Sequence, residues 1–397
     1  MNKLILNTGV QNFILKNKNT DIVSLLLKKS PFEGVSMKEV ANQVEVRKKA
    51  LKKLPLWYNT PNIYYPSKLS MEQTSSEVTA KYKAGLTDGK KLIDLTGGFG
   101  VDSLFFAEKV DRVFHCETDP ELSEIASYNY EIFGVKNITT IPGDGVDHLK
   151  RSGQQFDWIY ADPSRRNDRK GKVFMLRDCL PDIPAHLDTL FSHSENILIK
   201  TSPILDITSG ITELRDVKEV HVVAVKNEVK ELLWVLKKGY RGDILLRAVN
   251  LEKGTEQTFR FYREEENRAT PGHILPLKYL YEPNAAILKA GGFKSLAEKT
   301  GLGKLHPHSH LYTSEELLEN FPGRAFRITA VYPYTKKVLK PVLNKGKANI
   351  TIRNFPESVA QVRKKFSVQD GGDRYLFFTT DRNDEKIVIA CDKNILI

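Results

Sequence analysis

Residues 91–105 read Lys91-Leu92-Ile93-Asp94-Leu95-Thr96-Gly97-Gly98-Phe99-Gly100-Val101-Asp102-Ser103-Leu104-Phe105. Leu92, Ile93 and Leu95 are the short apolar run of a strand covered on both faces. Gly97, Gly98 and Gly100 permit a sharp turn and close backbone approach. From Val101 the period changes, and Val101, Leu104, Phe105 and Val110 follow helical spacing. A strand, a glycine-rich turn and a helix N-terminus in this order predict a nucleotide-type site at the carboxyl edge of an open α/β sheet.

Glycines before a helix fit dinucleotide binding, and also a tight turn that binds nothing. Asp94 tells against the dinucleotide and leaves the structural turn open. An acid at the strand end would repel a pyrophosphate, but it suits the positively charged methionyl part of S-adenosylmethionine. The stretch resembles motif I of class I S-adenosylmethionine-dependent methyltransferases. Its Asp-Leu-Thr-Gly-Gly-Phe-Gly-Val-Asp is similar to the Asp-Ala-Thr-Ala-Gly-Leu-Gly-Arg-Asp element of the small-subunit rRNA guanine-N2 methyltransferases. The resemblance implies S-adenosylmethionine as cofactor, with Asp94, Thr96, Gly97, Gly98, Phe99, Gly100, Val101 and Asp102 around it.

Onward, the alternation continues. Residues 113–117, Val-Phe-His-Cys-Glu, form a second strand ending in Glu117, 23 residues beyond Asp94. That is where α/β nucleotide sites place the carboxylate that accepts both ribose hydroxyls. Thr118 follows it, and Asp119-Pro120 opens a helix. A third strand, 137–141, leads to Gly143-Asp144-Gly145, where the resemblance implies an acid that receives the adenine amine. The fourth strand ends in Asp162-Pro163-Ser164-Arg165-Arg166. It resembles the Asp/Asn-Pro-Pro-Tyr motif of amino-methylating enzymes and the Asp-Pro-Met-Phe of the rRNA guanine-N2 enzymes. Ser164 stands for the second proline or methionine and Arg165 for the aromatic, so the base-stacking residue is not identified. A fifth strand, 197–203, carries Lys200 and is similar to the Val-Val-Lys-Arg-Pro of the same rRNA enzymes. Two apolar strands at 219–225 and 231–236 match the late antiparallel pair of the methyltransferase fold, which NAD domains lack.

Together these predict an α/β chain with a Rossmann-like seven-stranded class I methyltransferase domain at 71–240. An N-terminal helical domain (1–70) precedes it, opened by caps at Thr20 or Asp21 and by the capping box Ser36-Met-Lys-Glu39. Its basic run, Arg47 to Lys49 with Lys52 and Lys53, reads as a solvated face or a nucleic-acid contact. Another capping box, Thr74 to Glu77, predicts a helix through Lys83. Residues 69–77 sit where a helix would cover the cofactor pocket, which makes Met71 and Gln73 pocket candidates. Past residue 240 a hairpin is expected at 244–249 and 257–262, then a helical stretch from Tyr279 through Leu296. From Arg324 the order strand, basic helix, strand, helix, strand, strand predicts a small sheet with helices on one face. The chain resembles methyltransferases with a ferredoxin-like (241–322) and a THUMP-like (323–397) C-terminal module, and RNA, either rRNA or tRNA, is the partner this implies.

Composition bounds the rest. At 397 residues the chain should hold two or three domains. Hydrophobic residues at 41% and charged residues at 27% describe a soluble protein, and no apolar run approaches the ~18 residues of a membrane span. The first residues show neither a continuous apolar region nor a cleavage site, so a mature cytoplasmic protein is expected. Cys116, Cys179 and Cys391 stand too far apart for a zinc knuckle or a disulfide framework. His306, His308 and His310 alternate in a polar loop without a nearby acid or cysteine, so no metal is expected. The net charge of +11 is compatible with a polyanionic partner. Its excess concentrates in residues 335–365, nine basic residues against the single acid Glu357.

Methyl transfer from a sulfonium is an in-line displacement, so alignment supplies most of the rate. The exocyclic amine of a base is a poor nucleophile because its lone pair is delocalised into the ring. Asp162 and the Pro163 carbonyl can accept hydrogen bonds from such an amine and turn its lone pair towards the methyl group. Ser164, Arg165, Arg166 and Lys200 would stand on the substrate side, and Lys336, Lys337 and Lys340 would contact RNA backbone. The reading is an RNA methyltransferase acting on guanine N2 or adenine N6. The alternatives are a methyltransferase of proteins or small molecules, and an idle RNA-binding protein that keeps the cofactor fold.

Overall fold

The computed structural model describes residues 1–165, 175–252, 254–343 and 346–392. The chain divides into two compact units, one formed by Met1–Lys218 with Leu232–Arg241, the other by Glu219–Glu231 with Gly242–Ile397. Among the described residues no helix is long and apolar enough to cross a membrane.

The first unit opens with helices α1 (Thr8–Lys16), α2 (Ile22–Leu26), α3 (Met37–Lys53), α4 (Pro55–Asn59), α5 (Lys68–Gln73) and α6 (Glu77–Ala84). The caps follow local chemistry. The Asp21 side chain accepts from Ser24 N, and Ser36 with Glu39 forms a reciprocal capping box. At α6 the cap is Ser76, which accepts from Thr79 N, two residues later than the Thr74 box predicts. Alternating elements follow: β1 (Lys91–Asp94), α7 (Val101–Phe106), β2 (Arg112–Glu117), α8 (Pro120–Ile132), β3 (Ile138–Pro142), α9 (Gly145–Ser152), β4 (Phe156–Ala161), β5 (Ser164–Arg165), β6 (Cys179–Leu180), α10 (Ile183–His193), β7 (Ser194–Thr201) and α11 (Ile207–Glu213). β8 (Val217–Val225) and β9 (Glu228–Lys237) straddle the division.

In this unit the strands run in the order β9-β7-β4-β1-β2-β3. All neighbours are parallel except β9, which lies antiparallel to β7 with Ile199 opposite Trp234. β1 is the central strand, and Leu92 and Ile93 are fully buried, as expected of a strand covered on both faces. The order reverses beside β1, so the crevice at its carboxyl end is the topological switch point.

In the second unit β10 (Leu245–Glu252) pairs parallel with β8 and antiparallel with β11 (Thr255–Tyr262). Then come α12 (Arg263–Arg268), β12 (Tyr279–Pro283), α13 (Ala285–Ala290), α14 (Phe293–Thr300), β13 (Gly303–Lys304), β14 (Tyr312–Ser314), β15 (Gly323–Pro333), α15 (Lys336–Leu343), β16 (Asn349–Ile352), α16 (Val359–Phe366), β17 (Arg374–Thr380) and β18 (Lys386–Asp392). A seven-stranded sheet runs β13-β14-β12-β15-β18-β17-β16. Leu339 and Leu343 of α15 and Val362 and Phe366 of α16 bury against Leu376, Phe378 and Val388 of this sheet. Residues 279–283, expected to begin a helix, are instead a strand between β14 and β15. Two tyrosines in five residues favour the pleated conformation, Pro283 bars a helix from running through it, and helix starts only after Asn284, whose side chain accepts from Ile287 N.

Candidate functional site

Three strand ends converge at the switch point, and two glycines allow it. Gly97 N–H donates to the Cys116 carbonyl (2.7 Å), and a Cβ on Gly97 would stand 2.2 Å from the His115 ring. A Cβ on Gly145 would stand 2.6 Å from the Leu95 carbonyl, so the turn after β3 packs directly on the end of β1. The glycine turn is therefore constrained from beneath by the protein's own packing.

Beneath the turn lies a buried polar network. Asp94 is 0% exposed; its Oδ1 accepts from Thr96 N (3.0 Å) and its Oδ2 from Ser103 Oγ (2.7 Å). Burial, with the nearby Asp102 and Asp162 charges, pushes its carboxyl up to about 7. His115 Nδ1 lies 3.2 Å from Ser103 Oγ and 3.0 Å from the Tyr130 hydroxyl, and burial lowers this imidazole to about 4, which keeps it neutral. Asp102, the first-turn acid of α7, is bonded by Ser75 Oγ and the Tyr160 hydroxyl, both at 2.8 Å, and paired with Lys83 at 3.1 Å. Burial acts to raise this carboxyl, but Lys83, Lys200 and those hydrogen bonds outweigh it and hold it below the usual range. Asp102 therefore faces a lysine that is itself 0% exposed.

Around the turn, Glu117 Oε2 accepts from Gly98 N (2.8 Å), and its Oε1 accepts from Asp119 N (2.8 Å) and Thr118 Oγ1 (3.2 Å). Asp144 is exposed and caps α9 through Asp147 N (2.9 Å). Phe99 is buried against Trp57, ring centroids 6.2 Å apart, and Val101 is buried at the start of α7. The two residues singled out on α5 separate: Met71 is fully buried and Gln73 exposed.

On the acceptor side, β4 pairs with β1 and β7, with Tyr160 opposite both Asp94 and Leu198. Asp162 N–H donates to Thr96 Oγ1 (2.7 Å), and Thr96 Oγ1 lies 3.4 Å from Asp94 Oδ1, so one hydroxyl joins the glycine turn to the Asp-Pro motif. The Asp162 carboxylate, 29% exposed, accepts from Lys200 Nζ, which is 14% exposed. Pro163 is buried, and Ser164 and Arg165 pair with Leu180 and Cys179. Arg166 lies outside the described residues.

In the second unit Lys336, Lys337 and Lys340 are exposed on α15, while three other cations of 335–365 have acids: Arg353 with Glu282 (2.9 Å), Arg363 with Asp370 and Lys365 with Glu357 (2.8 Å). Lys345 lies outside the described residues. His306 Nε2 is 3.0 Å from Asp384 Oδ1, and its Nδ1 accepts from His308 N and lies 3.0 Å from Asn354 Nδ2, so its polar atoms hold the loop together. In the first unit three cations of the basic run on α3 bind their own surroundings, while Lys48 and Lys52 are exposed. Arg47 donates to the Tyr58 carbonyl, Lys49 pairs with Glu72, and Lys53 bonds the Met71 and Glu72 carbonyls.

The sequence reading missed Ser75, Lys83, Ser103, His115, Tyr130 and Tyr160. Only Ser103, inside the quoted stretch and one turn after the glycines, carried a positional signal. Lys83 looks like any helical surface lysine until the fold buries it.

Comparisons with known proteins agree with this architecture. A ferredoxin-like domain family matches residues 279–322, and a THUMP domain-like family matches residues 323–393. The crystal structure of a putative methyltransferase from Porphyromonas gingivalis W83 superposes with a TM-score of 0.87 at 33% identity, covering 97% of this chain and 98% of that one. An uncharacterized S-adenosylmethionine-dependent methyltransferase of Mycobacterium tuberculosis is 20% identical over 304 residues, 76% of this chain and 80% of the relative. An uncharacterized RNA methyltransferase of Mycoplasma mobile is 34% identical over 77 residues, 19% of this chain and 21% of that protein. With a switch-point glycine turn, an Asp-Pro strand end beside it and a full-length relative of the same design, the chain belongs to the family of class I S-adenosylmethionine-dependent methyltransferases that carry C-terminal ferredoxin-like and THUMP-like modules.

Proposed function

We propose that this S-adenosylmethionine-dependent methyltransferase modifies an exocyclic base amine, guanine N2 or adenine N6, of rRNA or tRNA. The observation that carries the reading is the Thr96 hydroxyl, which bonds Asp162 N and lies within 3.4 Å of Asp94, so the Asp-Pro motif is fixed against the glycine turn. The donor set fits the cofactor: Glu117 offers a carboxylate for ribose hydroxyls, Asp144 an exposed acid for the adenine amine, and Asp94 a negative charge for the sulfonium end. When bound, the cofactor supplies a methyl group on a cationic sulfur. The remaining work belongs to the chain. Asp162 and the Pro163 carbonyl accept from the two N–H groups of the amine, which turns its lone pair out of the ring plane and stabilises the positive charge that grows on nitrogen.

The RNA assignment is supported by the THUMP-like match and by the exposed Lys336, Lys337 and Lys340. Mass spectrometry of nucleosides from tRNA and rRNA of a strain lacking the gene tests it. Loss of one N-methylated guanosine or adenosine is expected; an unchanged nucleoside profile defeats the reading. Asp162→Ala should retain cofactor and RNA affinity within a few fold while abolishing turnover, because the amine contact matters mainly in the transition state.

A further inference from the structure

We infer that Lys200 is a positioning residue that sets the orientation of the Asp162 carboxylate, and that it does not hold the RNA. The inference rests on the reading of Asp162 as the acceptor of the amine hydrogen bonds. β4 and β7 are parallel neighbours with Ala161 opposite Ile199, so Asp162 and Lys200 are the next pair at their carboxyl ends. The Lys200 ammonium donates to Asp162 Oδ2 and is 14% exposed, against the exposed ammonium groups of Lys336, Lys337 and Lys340. A strongly hydrated lysine that serves as a phosphate contact gains by keeping its head in water, and this one is turned inward.

The position of the charge explains what it does. Two carboxylates, Asp102 and Asp162, act on the buried Asp94 here, and two lysines, Lys83 and Lys200, pair with those two acids. Lys83 is paired with the inner acid Asp102. Lys200 takes the outer acid and also lowers Asp102 electrostatically. With Thr96 Oγ1 accepting from Asp162 N and Lys200 gripping Oδ2, the residue is held at its backbone and at one carboxylate oxygen, which leaves Oδ1 as the oxygen for the amine. Without Lys200 the carboxylate loses its grip at Oδ2 and turns about its side-chain bonds. Misplacement of that kind lowers the rate of the chemical step and leaves binding intact.

The test is tritium transfer from methyl-labelled S-adenosylmethionine to total RNA from the deletion strain, with calorimetric binding of S-adenosylhomocysteine and thermal melting run on each variant. Lys200→Met should lower kcat about 100-fold with apparent KM for the RNA changed by less than about threefold. Lys200→Arg, which keeps the charge and the donors, should recover to within about tenfold of wild type. If Lys200→Met does not fold, Lys200→Gln carries the same expectation. A raised KM with unchanged kcat makes Lys200 a substrate contact and overturns the inference. Wild-type kcat in Lys200→Met beside an inactive Asp162→Ala also overturns it while the acceptor reading stands. Full activity in Asp162→Ala, or no transfer by wild-type protein, defeats that reading and the inference with it.

Discussion

At Asp94, burial and ligand charge act in opposite directions, and the balance is measurable. Its carboxyl is pushed up to about 7 in the folded chain from an ordinary value of 3.8. A carboxyl raised on folding binds its proton more tightly in the folded state. Between about pH 4 and 7 the folded chain therefore holds a proton that the unfolded chain releases, and stability falls as pH rises through that window, with the full cost present above it. His115 works the other way: lowered to about 4, it makes the unfolded state the better proton binder between about pH 4 and 6.5. Comparison with Asp94→Asn isolates the aspartate, since an amide mimics the protonated acid with both Thr96 N and Ser103 Oγ. The melting temperature of the wild type relative to Asp94→Asn should decline from pH 5 to pH 8; a constant difference would show that Asp94 is ionised throughout. A cationic ligand near this group favours the ionised form, so S-adenosylmethionine should bind more tightly as pH rises through about 7, and S-adenosylhomocysteine, which lacks the sulfonium charge, should respond less. Glu117 belongs to the same scale. Its Oε2 already accepts from Gly98 N, so its removal loosens the turn as well as the ribose contact proposed for it. Glu117→Ala should weaken S-adenosylmethionine by about 1.5 to 3 kcal/mol, and calorimetry showing wild-type affinity would remove it from the site.

Between elements, a buried ion pair joins α6 to α7. Lys83 and Asp102 are both enclosed, so removing one partner strands the other. Lys83→Met should cost about 3 to 5 kcal/mol in urea unfolding, and adding Asp102→Asn should return part of that, because the stranded charge is then gone. Equal stabilities of the two variants would show that the charge is solvated some other way. Nothing local marks this tie, whereas most elements were legible from local chemistry. The Ser36 capping box, the Asp119-Pro120 start of α8 and the 244–249 and 257–262 hairpin all came from turn and cap signals a few residues long. The reading failed where tertiary pairing decides. Residues 279–283 are a strand because β14 and β15 flank them, and α6 starts at Ser76 because Thr74 instead ends α5. The strand-end acids were visible as a pattern, but which of them turn inward was not. Asp94 and Asp144 look alike in sequence, and one is sealed while the other is exposed.

Over the whole molecule the question is where the +11 charge is free to act. Counting residues 335–365 as one basic surface overstates it, because Arg353, Arg363 and Lys365 each have an acid within the second unit. Tyr334 is likewise engaged: its hydroxyl donates to Glu357 at 2.6 Å, and Lys365 lies 4.7 Å from its ring centroid. Of the basic run of α3, Arg47, Lys49 and Lys53 are similarly bound within the first unit, while Lys48 and Lys52 are exposed. Among the described residues the exposed cations left on 335–365 are Lys347, Lys364 and the three of α15, where Leu339 and Leu343 face the core and Lys336, Lys337 and Lys340 face solvent. The α15 lysines are the largest group of these on one element. If that face carries the RNA contact, each phosphate it neutralises contributes about 0.7 to 0.9 to the slope of log affinity against log salt. Replacing all three lysines by alanine should then reduce the slope by about 2 to 3 and weaken binding most at low salt, with S-adenosylhomocysteine affinity unchanged. Arg353→Ala should act differently: it takes one of two arginines from the buried Glu282, leaving Arg324 on the other oxygen, and lowers stability while leaving the slope nearly as it was. A filter-binding titration that gives the triple variant the wild-type slope would exclude α15 as the RNA-contacting face.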